Sequence, residues 1–561
     1  MPFGEAFLAS FTLPAVRYDY DWLVVGSGFG GSVSALRLAE KGYRVGVLEC
    51  GRRFDDEDFA ETAWNLRRYF WAPLIGLRGI FRMTLFRDVF IVSGSGVGGG
   101  SLGYANTLYR ARPAFFVDSQ WSELGSWEAE LAPHYETAEW MLGVTEYPDE
   151  GPADVLLREL GEELGVAETY KPTRVGIFFG EPGREVEDPF FGGEGPARRG
   201  CVRCGSCMVG CRHGAKNTLV KNYLWFAERL GVEVVPERLV TDVRPIGPAD
   251  GSEGYLVTSE RPGAWLRRRR QTHTARGVVM AAGALGTNRL LARCKLSGGL
   301  PRISDRLGDL VRTNSESILA VTAPDDSRDF ARSVAITSSI YPDPDTHVEV
   351  VTYGRAGDAM SFLFTLLTGR GTNLTRPLMW LGQALRHPIR LARTLWPFKW
   401  SQRTVILLVM QTLDNAIRLR SRRRLLGGGV RLATEQDPER PIPRFIPAAN
   451  QAAEWMAAKV GGMAQSGTTE SVFNIPTTAH ILGGALIGRD PAHGVVDSSN
   501  RVFGYENLMV CDGASVPANP GVNPSLTITA LAERAMSLVA PSDLAPEDAS
   551  RRAPRKAGSP R

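Results

Sequence analysis

The chain has 561 residues, 43% of them hydrophobic and 22% charged, long enough for two or more domains with their own cores. Its 65 Lys and Arg against 61 Asp and Glu leave a formal net charge of only +4, which gives no electrostatic footprint for a nucleic-acid partner. The basic runs, Arg267 to Arg270 and Arg418, Arg420 and Arg422 to Arg424, read as solvated loop or helix faces.

The N-terminal MPFGEAFLASFTLPAVRYDYD has no positive region ahead of its apolar stretch and no cleavage site, so no secretory signal is expected. Residues 18 to 50 form the clearest unit. DWLVVGSGFGGS is an apolar strand and a glycine turn, VSALRLAEKG a helix ending on Gly42, and YRVGVLE a second strand closing on Glu49. Gly26, Gly28 and Gly31 make G-x-G-x-x-G at the strand-to-helix turn. Gly26 permits the turn, Gly28 admits a pyrophosphate to the backbone, and Gly31 lets helix and strand pack closely. The helix N-terminus offers N–H groups and a positive dipole end to phosphates. Glu49 stands where a carboxylate bonds ribose hydroxyls. This context predicts a bound dinucleotide.

An aromatic and arginine-rich stretch, NLRRYFWAPLIGLRGIFRM, precedes a second glycine loop running through Gly94, Gly98, Gly99 and Ser101, whose small residues let backbone lie against a flat ring or phosphates. Residues 113 to 170 read as amphipathic helices. Residues 201 to 214, CVRCGSCMVGCRHG, space Cys201, Cys204, Cys207 and Cys211 as C-x2-C-x2-C-x3-C, the ferredoxin spacing. In two-cluster ferredoxins the fourth cysteine serves another cluster, this chain has no second run, and Arg212 stands where that pattern has proline. A loop of reduced thiols is the leading expectation and no metal ligand is assigned. An iron–sulfur cluster or other metal and disulfides stay open. Cys50, Cys294 and Cys511 are scattered singly, which suits a reducing, cytoplasmic setting.

A helix followed by a strand recurs over residues 218 to 245, and a further strand, GVVMAAGALGT, opens another helix at TNRLLAR. Alternating strands then appear, TSSIYP and THVEVVTYG, followed by a long basic and apolar region from 358 to 425. No segment holds about 18 apolar residues free of charge, so no spanning helix is expected. Near the C-terminus LMVCDGAS reads as a buried strand ending at Asp512 and Gly513, with Asp512 placed to bond ribitol hydroxyls. NPGVNPSLTITALAERA reads as a loop entering a helix just after Asn523, its dipole favouring negative charge on a reduced flavin. His480, before Ile481-Leu482-Gly483-Gly484, pairs with Asn523 as a site: imidazole takes a hydroxyl proton while hydride leaves the carbon, and the amide orients the oxygen. His493, in the turn PAHG, reads as surface.

VVGSGFGGSVSALRLAEKGYRVGVLECGRRF, GVGGGSLGYANTLY, CRHGAKNTLVKNYL, GALGTNRLL, SSIYP, HILGG and GVNPSLTITALAERA together resemble the glucose–methanol–choline (GMC) oxidoreductases, and among them the cholesterol oxidases that bind FAD non-covalently. The resemblance implies an α/β fold: a Rossmann-like FAD domain from discontinuous segments (1–112, 201–300, 472–540) and an α+β substrate domain with an antiparallel sheet (113–200, 301–471), then a disordered tail (541–561). It implies His480 and Asn523 as catalytic, Asn106 beside the flavin, and Glu349 as the proton carrier of double-bond isomerisation, with Glu316 its competitor. Tyr104-Ala105-Asn106-Thr107 departs from the asparagine–glycine–glycine run of the secreted enzymes. The implied activity is oxidation of a sterol 3β-hydroxyl with O2 as acceptor. The alternatives are a flavin dehydrogenase using a quinone or protein acceptor, and a flavin/iron–sulfur electron-transfer module. The apolar spans of 358 to 417 read first as core packing; the alternative is a partly exposed set, with Arg386, Arg390 and Arg393 interleaved, in peripheral contact with a bilayer surface.

Overall fold

The fingerprint strand Tyr20–Val25 is buried almost throughout, and its apolar run needs cover on both faces. In this computed structural model, which describes residues 18–264, 266–423 and 429–543, that strand lies inside a mixed sheet with neighbours on both sides. The N-terminal stretch read for a signal, Trp265, Arg424 and the tail from 544 lie outside the described residues. Parallel strands run in the order Glu233–Val235, Val45–Leu48, Tyr20–Val25 and Gln271–Met280. The last strand is shared. Its first half pairs antiparallel with Tyr255–Glu260, which continues to Leu239–Pro245, and its second half pairs parallel with Leu508–Val510. The strand carrying Cys511 and Asp512 at its end therefore returns from the far C-terminus to lie beside the fingerprint.

Helix Phe29–Glu40 packs on this sheet and on the closing helix Ser525–Ser537. Arg37 clamps Glu533 through Nε at 2.7 Å and Nη2 at 2.9 Å, and Tyr223 donates its hydroxyl to the same carboxylate at 2.6 Å. Residues 113 to 142 were expected in the substrate domain, and the structure places them elsewhere. Phe115, Trp121, Trp127, Leu131 and Tyr135 belong to the nucleotide-side core, and helix Trp127–Met141 lies on the closing helix, with Tyr135 Oη and Thr527 Oγ1 2.8 Å apart. The apolar face of that helix packs on Phe116 and Trp121 just before it and on a helix nearly 400 positions later, and local pattern does not reveal the second partner.

The second sheet is antiparallel throughout, in the order Phe364–Leu366, Met463–Gly467, Ser317–Thr322, Thr404–Gln411, Thr346–Val351, Ile336–Asp343 and Lys171–Pro172. Alternation sends Leu319, Val321, Val348, Val350, Leu407 and Val409 to one face, covered by helices Pro152–Glu163 and Pro447–Val460. The other face carries Ala320, Val351, Ile406, Leu408 and Met410 toward Phe54 and Leu102 of the nucleotide-side loops. By the same register His347 and Glu349 share this inner face.

Val405 to Met410, in the apolar region, is a fully buried central strand, which is the core packing expected first for it. One further expectation changes. The second arginine run, read as a loop or helix face, forms the hairpin Ile417–Arg423 with Val430–Gln436, where Arg418 pairs with Asp437 and Arg420 with Glu435. Side chains alternate on a strand, so such a run places its charges on both faces and draws acidic partners across the hairpin. Among the described residues no helix is long and apolar enough to cross a membrane.

Candidate active site

The cofactor cradle is built by backbone touching backbone. Gly26 has φ +102°, and a Cβ there would stand 2.3 Å from Ala281 O; at Gly31 it would stand 2.0 Å from Gly26 O. Gly28 differs. A Cβ on it would find no protein atom nearer than Gly99 Cα at 3.9 Å, so the space before it is left for a ligand at the helix N-terminus. Gly99 in turn approaches Gly28 so closely that its own Cβ would lie 2.5 Å from Gly28 Cα. The two glycine loops therefore meet in front of the helix N-terminus.

Glu49 sits at the end of its strand, accepting from Ser27 N (3.1 Å), Ser27 Oγ (2.8 Å) and Gly51 N (2.8 Å). Ser101 does not point its hydroxyl at the ligand space. It donates to Gly98 O at 2.7 Å and accepts from Leu219 N at 3.0 Å, holding the loop's shape. Asp512 is likewise committed to the protein: Thr287 Oγ1 donates to it at 2.5 Å and Ala514 N at 2.8 Å. Burial pushes its carboxyl up to about 6, and these bonds hold it down against that rise. The adjacent Gly513 carbonyl accepts Gly483 N at 2.7 Å.

Asn106 is fully buried in a left-handed conformation (φ +69°), and neither its Oδ1 nor its Nδ2 has a partner. Glu349 Oε1 and Asn523 Oδ1 are also buried and unbonded. Orphaned buried groups are costly unless a ligand completes them. Four such atoms, on residues from both halves of the molecule, fit a flat polar cofactor and its substrate held between the halves.

The reactive group assembles around Glu316. Arg312 and Leu482 exchange backbone bonds at 2.9 and 3.0 Å, bringing residues 312 to 316 alongside 478 to 482. Asn314 and Ser315 both have positive φ, +58° and +48°, which turns Glu316 into the site. Glu316 Oε1 then pairs with His480 Nδ1, and Oε2 accepts Ala479 N at 2.8 Å. With Nδ1–H facing the carboxylate, Nε2 is the basic nitrogen, and among the described residues it bonds nothing. Asn314 also fixes the loop of Asn523: its side chain accepts Gly521 N at 3.0 Å and donates to Val522 O at 3.0 Å.

Glu349 is completely buried on the inner face, where Asn523 Nδ2 donates to its Oε2 at 3.3 Å. Burial pushes its carboxyl up to about 8; the bond from Asn523 opposes the rise, and the neighbouring Glu316 adds to it. His480, Asn523 and Glu349 thus come together, and Glu316 is not Glu349's competitor but the partner of His480. Two residues went unread in the sequence. Asn314 left no signal. His347 left one, since alternation in THVEVV puts it on the same face as Glu349. It stacks on Tyr341 at 4.4 Å, both its nitrogens are unbonded, and burial pulls it down to about 3. His493 is exposed and paired with Asp490 at 2.6 Å.

A GMC oxidoreductase family pattern matches residues 415–532. A cholesterol oxidase of Mycobacterium tuberculosis (strain CDC 1551 / Oshkosh) is 52% identical over 536 residues, spanning 93% of this chain and 91% of its own. The chain belongs to the GMC oxidoreductases. A cholesterol oxidase of Acinetobacter baumannii, another relative, is 48% identical over 528 residues, covering 93% of this chain and 95% of its own. Pyridoxine 4-oxidase from Mesorbium loti (TM-score 0.57, 16% identity, 92% and 98% of the two chains) and a fungal aryl-alcohol oxidase (0.57, 15%, 93% and 99%) share the GMC fold. As a GMC flavoprotein this chain is an FAD-dependent oxidoreductase acting on CH–OH donors, with the expected FAD half and substrate half.

Proposed function

We propose that this enzyme oxidises the 3β-hydroxyl of cholesterol or a closely related sterol to the 3-ketone and passes the electrons to O2, forming H2O2. The observation that carries the reading is the His480–Glu316 pair set beside Glu349 and Asn523, in a chain about half identical to two cholesterol oxidases. Bound FAD, for which the cradle at Gly28 and the orphaned amide of Asn106 leave room, supplies the hydride acceptor. His480 Nε2 takes the hydroxyl proton, and the Glu316 carboxylate holds the ring and stabilises the imidazolium that forms. Asn523 has one amide atom on Glu349 and the other free to orient the substrate oxygen.

Glu349 serves the second half of the reaction. A carboxyl raised to about 8 exchanges protons readily near neutral pH, which suits moving a proton across a steroid ring face from Δ5 to Δ4. His347, held neutral beside it, keeps this part of the pocket uncharged.

Substrate entry is by peripheral contact with a bilayer. Helices Thr375–Arg386 and Pro388–Thr394 leave Leu378, Leu381, Leu385 and Ile389 exposed, with Trp396 and Phe398 following, and Arg386, Arg390 and Arg393 exposed among them. An apolar face edged by arginines matches a lipid surface with anionic headgroups. Flavin-replete protein given cholesterol in air tests the main reading: sterol-dependent peroxide is expected. Turnover with an artificial acceptor alone would replace it by the dehydrogenase reading.

A further inference from the structure

The reaction does not use the cysteine run, yet the fold gives those thiols an unusual setting. Residues 201 to 214 pass through four positive-φ positions, Arg203 (+55°), Gly205 (+67°), Gly210 (+119°) and Gly214 (+72°). At Gly205 only a glycine fits, since a Cβ would stand 2.6 Å from Gly354. The tight winding makes Cys201, Cys204, Cys207 and Cys211 line one pocket together, with Ile177, Lys216 and Ser333 closing it. All four are unoxidised. In two-cluster ferredoxins the fourth cysteine of such a run serves another cluster; here Cys211 lines the same pocket as the other three.

Charge gives an independent observation. Lys216 and Arg198 are 1% and 2% exposed, and neither is ion-paired with a carboxylate among the described residues. Lys216 Nζ donates only to carbonyls: Leu102 O at 3.0 Å, Tyr104 O at 2.8 Å and Cys207 O at 2.9 Å. Arg198 donates to Gly214 O at 3.0 Å and Ala215 O at 2.9 Å. Among the described residues Asp56 and Asp188 reach Arg198 only from beyond ion-pair distance and no carboxylate acts on Lys216, so these buried cations are costly unless a further anion lies close by. A backbone N–H, Arg203 N, already reaches Cys201 Sγ at 3.4 Å, the kind of bond that tunes iron–sulfur thiolates.

A single ion is the poorer occupant. Among the described residues no three His, Cys, Asp or Glu side chains converge as one ion requires, and zinc holds its sulfurs at about 2.3 Å. Thiolates that ring a pocket without meeting at a point suit a polynuclear core. Four thiolates on a 2+ core leave a charge of about −2, which Lys216 and Arg198 offset.

The geometry points to a [4Fe–4S] cluster bound by Cys201, Cys204, Cys207 and Cys211, in the wall behind the glycine loop that leads to Asn106. Lys216 is the tie between the two, bonded to Cys207 on one side and to the 102–104 backbone on the other. The inference is independent of which alcohol is oxidised.

The test is iron, acid-labile sulfide, zinc and flavin content of full-length protein purified without oxygen, and again after incubation with ferrous iron and sulfide. About four irons and four sulfides per chain are expected, with a paramagnetic signal on dithionite reduction. C204S, at a partly exposed position, is expected to lose that iron and signal while keeping its flavin, and C294S, outside the pocket, to keep both. Flavin-replete wild type with no iron or sulfide under both conditions, or with stoichiometric zinc, overturns the assignment whether or not cholesterol is turned over.

Discussion

The two halves of the molecule encode their chemistry differently. On the nucleotide side, function rests on contacts between backbones: at Gly26 and Gly31 a side chain would overlap a carbonyl oxygen, and at Gly28 it would fill space meant for a ligand. Such constraints fall on residues close in sequence and only glycine meets them, so they leave a spaced signature. In the reactive group, function rests on segments far apart in sequence. Glu316, Glu349, His480 and Asn523 come from four of them, and only Glu349 lies in a strand. A steric requirement can be read from sequence; which distant segments meet cannot.

The strongest challenge to this contrast is at His480. H480A removes the free Nε2 of the His480–Glu316 pair and is expected to lower kcat for sterol oxidation by about 10²- to 10⁴-fold. Flavin content should stay unchanged, because the cradle is elsewhere. E316Q should cost roughly 10- to 100-fold and shift the pH profile, the mark of a residue acting through the imidazole it orients. If E316Q matches wild type in rate and profile, the pairing of His480 with Glu316 carries no function and the substrate half has been misread.

A second pair of variants separates the two kinds of glycine. In G26A the new methyl meets Ala281 O in a backbone conformation of positive φ, and a loss of about 1–3 kcal/mol or more in folding stability is expected by denaturant unfolding. In G28A the methyl touches only Gly99 at van der Waals distance, so apoprotein stability should change by no more than about 0.5 kcal/mol while flavin occupancy falls. Equal damage to folding in both would erase the distinction.

Much of the site was legible before the fold was. The fingerprint glycines, Glu49, His480 and Asn523 stand out because turn chemistry or flanking motif marks them. Glu349 came only through family resemblance, and the role of Glu316 was hidden: TNSES carries no sign that two left-handed residues will turn it toward a histidine more than 160 positions away. Asp512 and Ser101 show another limit. Their motif marks them, but it does not reveal the bonds that their oxygens make to Thr287, Ala514, Gly98 and Leu219. Helix Trp127–Met141 was assigned to the wrong half for a related reason, because its amphipathic pattern shows that it needs a partner without showing which.

Glu349 gives a graded test of the substrate half. Its carboxyl, ordinarily near 4.5, is raised to about 8, so it is protonated at neutral pH and ionises as pH climbs through that value. Isomerisation begins with the carboxylate accepting a proton, so the ratio of isomerised to unisomerised ketone should rise with pH through about 8. E349Q should abolish that rise, lower isomerisation by about 10²-fold or more, and leave oxidation within about tenfold. The same shift bears on stability. Protonated Glu349 favours the folded state at low pH, and this contribution is lost as pH rises from about 4.5 through about 8. E349Q should therefore flatten the stability profile between about pH 4.5 and about pH 8 as well, and a profile unchanged by the substitution would count against the buried, raised carboxyl.

The smallest expected effect lies at the exposed apolar helices, outside both encodings. Leu385 and Ile389 are 74% and 70% exposed, so L385E and I389E should each change the unfolding midpoint by no more than about 0.5 kcal/mol equivalent. Burying such a side chain in lipid is worth about 1.5–3 kcal/mol, so each variant should weaken binding to vesicles about tenfold or more. Turnover of sterol held in anionic vesicles should fall with it, while turnover of detergent-dispersed sterol should not. The two assays divide the roles: a loss in both would put these residues in the reaction pocket, and a loss in neither would free the substrate half from any surface requirement.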